Sequence, residues 1–456
     1  MARVVRSGRR AVTDPLKLSQ PLGAALAFLG LDRCMPLVHG SQGCAAFAKA
    51  FLTRHFREPV PLQTTAVTEL TAVLGGGDHL TAALDTVRAT AAPDVIGVLT
   101  TGVSEASGED VAATVRGYLA DRAGEPPPTV ILVSTPDFVG GLSDGWAAAL
   151  GGIVRAGLAL PPRAERVPDW TAEPERPAFP VLAGVSLTAA DLDELEALVA
   201  GFGLTPLLVP DLSRSLDGHL ARAWSPLTTG GTARSALAGL RDAAAAAAVG
   251  ATTGRGADAL RDAGVPVIRT DHLGGLAAVD AFVDRLRTTT SAPVPERVLR
   301  DRARLTDGLL DTHFVLGDAR IAVAAEPELL VAVTHLVADT GARIVAAVSP
   351  THDPLLASAA CDEVVVGDLA DLRARAAEAG AEVVLGSSHA VDAAAAAGAS
   401  LLPLGLPVDH RFGAQLGGAA GYRGGLRLLF DLANQVLTHR DGDHRGAAPT
   451  TRSQPC

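Results

Sequence analysis

Short apolar runs alternate with helix-like stretches along most of the chain, and this alternation limits the possible folds more than any other feature of the sequence. Strands that alternate with helices in this way form a parallel sheet with helices on its faces. The pattern recurs in three blocks, and 456 residues are enough for three separate cores. We therefore predict an α/β protein with three doubly wound, Rossmann-like domains, each built on a parallel sheet.

Proline-rich breaks divide the blocks. The stretch from Pro161 to Pro180 holds six prolines and shows no periodicity, which is typical of a linker. The polar, basic residues 1–14 are expected to stay poorly ordered until they meet a partner surface. The predicted units are 1–160 (first domain), 161–180 (linker), 181–290 (second domain), 297–422 (third domain), 423–440 (a long amphipathic C-terminal helix) and 441–456 (a disordered tail).

Composition and charge narrow the class of protein. The formal charge of −11 argues against a surface that binds nucleic-acid phosphates. Four irregularly spaced cysteines (Cys34, Cys44, Cys361 and Cys456) do not make a disulfide framework in so long a chain, which favours a reducing compartment. No apolar segment follows the basic N-terminus, and no run approaches the roughly 18 apolar residues of a membrane helix. We expect a cytoplasmic protein that binds neither membranes nor nucleic acid.

One strand-to-helix junction has the features of a reactive site. The segment His39–Cys44 follows the apolar run Met35–Val38 and precedes a helical pattern in which Phe47 and Phe51 share a face. Free amides and the positive end of the helix dipole favour a thiolate at Cys44, and a thiolate is what a soft metal or an iron–sulfur cluster requires. Alternatively, Cys44 is a small buried side chain without chemistry, because free cysteine is among the most buried residue types.

Other kinds of site find little support in the sequence. There is no G-x-x-x-x-G-K-[ST] phosphate loop, and the Gly75–Asp78 turn before a helix is explained by Asp78 as an N-cap. No G-x-S-x-G elbow of a serine hydrolase occurs. The histidines do not cluster at zinc-ligand spacing. We interpret His39 and His55, which flank the Cys44 helix, as hydrogen-bonding structural residues.

Longer phrases around Cys44 are more specific than any of these short patterns. They are Pro15–Ala24, Met35–Cys44, Arg54–Pro59, Leu99–Glu105 and Thr135–Gly140, the last followed by Gly145 and Trp146. In this order the phrases resemble the β-type subunits of the nitrogenase component 1 family, and most of all its NifEN scaffold branch. They cover about the first third of the chain.

The resemblance implies a cofactor-assembly function. A NifEN-type scaffold matures the precursor of the iron–molybdenum cofactor, and its β-type subunit has an oxidoreductase-like fold without catalytic residues of its own. The resemblance implies a [4Fe-4S] cluster at the subunit interface, with Cys44 as the one cofactor-binding and metal-ligating residue here and three cysteines from a NifE-type partner. The precursor would be held mainly by that partner.

The implied assembly is an α2β2 heterotetramer with the NifE-type subunit. Its implied transient partners are the nitrogenase reductase (iron protein) and a cluster-donating assembly protein. Two alternatives stay open. One is a β-type electron-transfer subunit of a nitrogenase-like reductase, and the other is a solitary nucleotide- or cofactor-binding α/β enzyme.

Departures from the catalytic β subunit of the family point towards the scaffold. That relative has cluster cysteines where this chain has Ser19 and Gly102, and a serine ligand where this chain has Asp137. With only the Cys44 position retained, this chain cannot complete an eight-iron P-cluster as the catalytic subunit does. A simpler four-iron cluster is what the resemblance then implies.

Overall fold

The structure is a computed structural model that describes residues 1–9, 11–69, 76–122, 128–161, 178–220 and 223–446. Its strands are β1 (Arg3–Arg6), β2 (Cys34–His39), β3 (Gln63–Thr64), β4 (Val95–Thr100), β5 (Thr129–Val133), β6 (Ala178–Ala183), β7 (Thr205–Val209), β8 (Ala246–Val249), β9 (Val267–Thr270), β10 (Arg320–Ala324), β11 (Arg343–Ser349), β12 (Glu363–Val366), β13 (Val383–Gly386) and β14 (Ser400–Pro403).

The α-helices fill the intervals between the strands. They are α1 (Gln20–Leu29), α2 (Gln42–Phe56), α3 (Gly77–Ala91), α4 (Gly102–Ala106), α5 (Val111–Ala120), α6 (Leu142–Ala159), α7 (Ala189–Gly201), α8 (Arg234–Leu237), α9 (Gly254–Asp262), α10 (Leu276–Thr290), α11 (Glu296–Leu316), α12 (Pro327–Asp339), α13 (Leu369–Glu378), α14 (Val391–Ala396) and α15 (Gly421–Gly446).

The strands form three sheets, one in each domain. The first sheet has the order β3-β2-β4-β5, the second β7-β6-β8-β9, and the third β1-β12-β11-β10-β13-β14. All pairings between these strands are parallel. Strands β2 and β4 are buried at every position, as expected for a parallel sheet covered on both faces. The prediction of three doubly wound parallel-sheet α/β domains is confirmed.

Helix α1 lies in the interior and is buried along its whole length. It crosses α6 where two glycines let the backbones touch. A Cβ atom on Gly23 would lie 2.0 Å from the carbonyl oxygen of Leu142, and one on Gly145 would lie 1.9 Å from that of Gln20. Larger side chains do not fit at either glycine. The N-terminus of α1 is therefore held against the start of α6.

The N-terminal residues differ from the prediction. Strand β1 pairs in parallel with β12, and Arg9 forms ion pairs with Asp368 and Asp371 at the start of α13. The expectation that residues 1–14 are poorly ordered is therefore wrong for β1. This strand also belongs to the third sheet and not to a first domain that begins at residue 1.

The C-terminal helix is longer than predicted. Helix α15 ends at Gly446, so it extends beyond the predicted 423–440 into the predicted tail. The rest of that tail, 447–456, and most of the predicted linker, 162–177, lie outside the described residues. Among the residues that the structure describes, no helix is both long and apolar enough to cross a membrane.

Candidate functional site

Three of the sequence-predicted positions lie at the carboxyl edge of the first sheet. His39 and Thr100, the last residues of β2 and β4, are paired across the sheet. The segments that follow β2, β4 and β5 carry Cys44, Gly102 and Asp137 in turn. Parallel strands end at a common edge, so the fold brings these positions to one side of the domain.

Cys44 is the third residue of α2, just after the N-cap residue Ser41. Its side chain is half-buried, and Sγ lies 3.3 Å from the Ser41 hydroxyl oxygen. The neighbouring Gly43 faces open space, because a Cβ atom there would have no other atom within 4 Å. The first turn of a helix also offers unpaired amides and the positive end of the dipole. Cys44 therefore has the room and the local electrostatics to act as one ligand of an external metal group.

The turn that carries Cys44 is held by buried hydrogen bonds to His39. The imidazole Nδ1 lies 3.0 Å from Thr65 Oγ1, and Nε2 lies 3.2 Å from Glu109 Oε2. The hydroxyls of Thr101 and Ser104 donate to the His39 carbonyl oxygen at 3.2 and 2.9 Å. Both ring nitrogens are engaged and the side chain is fully buried. His39 is thus a structural residue, as interpreted from the sequence.

His55 fixes the other end of α2 against the third domain. Its Nδ1 accepts a hydrogen bond from the Val408 backbone N–H at 2.9 Å. Burial lowers the pKa of His55 to about 4, so the ring is neutral at physiological pH. Helix α2 is consequently anchored at both ends, which keeps Cys44 in a fixed position.

Gly102 and Asp137 are in direct contact. The Gly102 N–H, at the first residue of α4, donates to Asp137 Oδ2 at 3.3 Å. The side chain of Gln20 donates to the Pro136 carbonyl oxygen at 3.1 Å, and Gln20 directly follows Ser19, the N-cap of α1. The structure therefore brings Ser19, Gly102 and Asp137 into one region at the edge that also carries Cys44.

The other described cysteines lie elsewhere. Cys34 begins β2 and is fully buried, and this burial raises the pKa of its thiol far above the ordinary range. Cys361 is in the third domain, where burial raises the pKa of its thiol to about 11. Cys456 lies outside the described residues. Within the part of the chain that the structure describes, no three His, Cys, Asp or Glu side chains are grouped to hold a metal ion.

Exposed apolar side chains lie on the same segments that carry the candidate site residues. Phe47, one turn after Cys44 along α2, is 63% exposed, and Phe138, in the loop after β5, is 67% exposed. Val103 on α4 and Val139 beside Phe138 are exposed as well. Contiguous exposed apolar patches on a protein surface mark contacts with partners. We call these four side chains the apolar face.

Sequence reasoning did not assign these four side chains to a partner surface. It placed Phe47 on one helical face with Phe51, but only Phe51 is buried. The available signal was the scarcity of aromatic residues, which make up 4% of the chain. An exposed phenylalanine close to a site residue is unusual in such a composition, and Phe138 directly follows Asp137.

Comparison with known proteins decides the family. The family model described as nitrogenase component 1 type oxidoreductase matches residues 19–437. The chain belongs to the nitrogenase component 1 family. A solved structure described as nitrogenase Cp1 at pH 6.5 is similar to it with a TM-score of 0.87 and 26% sequence identity, covering 99% of this chain and 98% of that chain.

Curated relatives in the nitrogenase component 1 family share more of the sequence. The chain is 41% identical over 455 residues to the nitrogenase iron-molybdenum cofactor biosynthesis protein NifN of Rhodobacter capsulatus, covering 98% of this chain and 97% of the relative. It is 39% identical over 459 residues to NifN of Rippkaea orientalis, covering 97% and 98%. The similarity thus spans all three domains, whereas the phrases in the sequence covered only the first.

Proposed function

We propose that this chain is the β-type subunit of a NifEN-type scaffold on which the precursor of the iron–molybdenum cofactor is matured. In this proposal Cys44 supplies one ligand to a [4Fe-4S] cluster that is shared with a NifE-type subunit. The near-full-length similarity to NifN proteins supports the assignment to the scaffold. It speaks against a solitary nucleotide-binding enzyme.

The observation that carries the proposal is the set of residues at the carboxyl edge of the first sheet. Cys44 is placed there as a half-buried thiol at a helix N-terminus, whereas Ser19, Gly102 and Asp137 bring no further thiolate. A four-iron cluster usually requires four thiolates, so three must come from the partner. When bound, such a cluster supplies one-electron transfer at the boundary between the subunits.

The chain's own residues position the ligand and shield it. The His39 hydrogen bonds fix the turn before Cys44. The apolar face supplies the surface that the partner covers, which removes water from around the shared site. No catalytic residue of this chain is part of the proposal. The precursor is assigned mainly to the partner, because residues 181–290 contain no cysteine.

The proposed assembly is an α2β2 heterotetramer, which meets an iron protein and a cluster-donating protein only transiently. A second exposed apolar region supports contact between two heterodimers. Leu310 and Phe314 on α11 are both largely exposed, and Phe314 is 91% exposed. They lie in the third domain, whereas the apolar face lies in the first, so each surface is available to a different neighbour.

A cysteine substitution tests the proposed ligand. In the complex co-purified anaerobically with its NifE-type subunit, Cys44→Ala should remove most of the interfacial iron and its reduced-state electron paramagnetic resonance signal. The fold should be retained, because the third position of a helix tolerates alanine. Iron per heterodimer and the spectrum are the measurements.

Cys361→Ala is the matched control. It also removes a partly buried free thiol, but in the third domain, and should leave iron and spectrum unchanged. Wild-type iron and an unaltered spectrum in Cys44→Ala would contradict the assignment of Cys44. Equal losses in the two variants would show that the iron responds to general destabilisation and not to the lost ligand.

A further inference from the structure

A cavity of about 90 Å³ lies where the three domains meet. The first domain contributes Leu26 and Phe56, the second Leu187 and Leu212, and the third Leu329. Each water molecule needs about 10–15 Å³ of such space, so the cavity is large enough for several waters or one small organic molecule. Cys44 does not line it.

The cavity lies beside the topological switch points of two sheets, where the order of successive strands reverses direction. In the third sheet the strand order reverses direction between β10 and β13. Glu326 is the second residue after β10, and Ser387 is the first residue after β13. In the second sheet the strand order reverses between β6 and β8, and Leu187 follows β6. The crevice at the carboxyl ends of strands at such a reversal is where doubly wound α/β folds bind ligands.

Three residues that line the cavity have buried oxygen atoms that find no hydrogen-bond partner among the described residues. These atoms are Glu326 Oε1, Ser387 Oγ and Gln415 Oε1. Ser387 is only 4% exposed and Gln415 only 7%. A buried oxygen without a partner loses the hydrogen bonds it would make in water, and this loss is costly. The Gln415 amide oxygen and an ionised Glu326 carboxylate can only accept hydrogen bonds, whereas the Ser387 hydroxyl can accept or donate one. Three such atoms around one cavity therefore point to a bound molecule that carries a hydrogen-bond donor.

The remaining polar residues of the lining show what charge the molecule can have. Asp191 is already paired, since its Oδ1 accepts from the Ala419 and Ala420 N–H groups at 2.8 and 2.7 Å. Within the described residues, no Lys or Arg side chain lines the cavity. His55 also lines the cavity, but burial lowers its pKa to about 4, so its ring is neutral. An anion would therefore be buried beside the acidic side chains of Asp191 and Glu326 with no cation to balance it, which is strongly unfavourable.

We infer that the cavity between the three domains binds a small molecule with a short hydrocarbon body and a neutral or cationic head group that donates hydrogen bonds, such as a hydroxyl or an ammonium group. The leucine-rich walls take the hydrocarbon body, and the oxygens of Glu326, Ser387 and Gln415 take the head group. This site is separate from the proposed cluster site, and the inference does not depend on the cluster.

Saturation-transfer NMR on the complex with the partner tests the inference with three matched compounds, 1-butanol, n-butylamine and butyrate. The alcohol or the amine should bind saturably in the millimolar range, and the comparison of the two identifies the head group. Butyrate has the same hydrocarbon body but a negative head group, so it should bind at least about tenfold more weakly.

A serine pair supplies the matched variants. Ser387→Val removes one of the unpaired oxygens in the cavity and should weaken binding about fivefold. Ser349→Val removes another buried, unpaired serine oxygen that does not line the cavity, and should leave binding unchanged. Gln415→Leu is the second cavity variant if Ser387→Val does not fold. Any of three results would overturn the inference. The alcohol and the amine could both fail to bind saturably, or butyrate could bind as tightly as they do. The Ser349 variant could also weaken binding as much as the cavity variant does.

Discussion

Glu326 and Glu328 lie at the start of α12 and connect the third domain to the other two. Glu326 Oε2 accepts a hydrogen bond from the Ser143 hydroxyl on α6 at 3.0 Å. Glu328 Oε2 accepts from the backbone N–H and the hydroxyl of Thr252, which follows β8, at 2.9 and 2.8 Å. Burial raises the pKa of both carboxyls, and that of Glu326 to about 7. Glu326 is the less well paired of the two, because its Oε1 has no hydrogen-bond partner in the part of the chain that the structure describes.

The raised pKa of Glu326 predicts a pH-dependent stability. The folded protein binds the Glu326 proton more tightly than the unfolded chain does, so the free energy of unfolding should fall as pH rises from about 4.5 to about 7. The difference between the folded and unfolded pKa of Glu326 corresponds to about 3 kcal/mol of unfolding free energy. Because the residue is partly exposed, we expect a change in unfolding free energy on the order of 2 kcal/mol. Glu326→Gln should therefore stabilise the protein at pH 8 relative to wild type, but not at pH 5. Urea unfolding midpoints at the two pH values provide the measurement.

Glu382 is a control because its pKa is shifted in the opposite direction from that of Glu326. Its carboxylate pairs with Arg440 at 2.8 Å, and although burial opposes the effect, this hydrogen bond and the Arg320 N–H lower its pKa. Its contribution to stability is present above the ordinary glutamate pKa and is lost as pH falls through the lowered value. Glu382→Gln should thus destabilise the protein at pH 8. If Glu326→Gln shifts the midpoint equally at pH 5 and pH 8, the carboxyl does not titrate as described.

Helices and strands with a clear hydrophobic periodicity were predictable from the sequence, and those without such a periodicity were not. The predicted doubly wound arrangement follows from alternating strands and amphipathic helices. Helix α1 has no such period because it is buried on every side. Strand β1 has only four residues, and its partner strand β12 lies some 360 positions away, so no local signal reveals the pairing. Both elements depend on tertiary packing alone.

The functional regions were likewise predictable only where they are encoded locally in the sequence. The turn at Cys44 is a local feature, because a short strand, two glycines and a helix follow one another directly in the sequence. The cavity between the domains is not local, since Leu26 lies on α1, Leu187 in the loop after β6 and Leu329 on α12. Likewise, the exposure of Phe47 depends on what packs against α2 in three dimensions. Sequence periodicity carries no information about such long-range contacts.

The start of α1 and the start of α4 determine whether thiols can be introduced at the edge of the first sheet that carries Cys44, the proposed iron ligand. Ser19 makes no side-chain capping hydrogen bond, so its hydroxyl is dispensable for α1. Gly102 does not have a positive φ, and a Cβ atom there would come no closer than 3.6 Å to its nearest neighbour, Asp137. The strain that a glycine-to-cysteine change often causes is therefore absent at this position.

We accordingly predict that Ser19→Cys combined with Gly102→Cys folds, pairs with the partner, and binds more iron per heterodimer than wild type. The two new thiols lie at the edge that carries Cys44. Gly117→Cys is the control, because its Cβ atom would also meet no obstacle, but on α5. Iron content and the reduced-state magnetic spectrum are measured for both. A double variant that folds and pairs but has wild-type iron and spectrum would show that Ser19 and Gly102 do not face the cluster.

For the whole molecule, the exposed surfaces matter as much as the core. The apolar face and the Leu310–Phe314 surface on α11 belong to different domains, and each leaves aromatic area in water when the chain is alone. Buried aromatic side chains at the centre of an interface are often worth 2 kcal/mol or more, roughly a thirtyfold change in affinity. Under the proposed function, the subunit without its partner should therefore contain no cluster and should self-associate. A monodisperse, iron-loaded monomer would contradict this expectation.

The two exposed phenylalanine surfaces allow the role of the apolar face to be isolated. Phe47→Ser with Phe138→Ser should weaken capture of the proposed NifE-type partner by at least about thirtyfold and reduce iron per purified chain in proportion, because these side chains lie on the Cys44 helix and in the Asp137 loop. Phe314→Ser removes an even more exposed ring from the third domain, so it should leave one-to-one pairing and iron intact and affect at most the association of two heterodimers. Affinity capture with the tagged partner, sedimentation of the purified complexes and iron analysis distinguish these effects. The opposite result would be wild-type pairing and iron in the Phe47→Ser, Phe138→Ser double variant, with both lost in Phe314→Ser. In that case the partner binds the Leu310–Phe314 surface on α11, and a shared cluster cannot lie over Cys44.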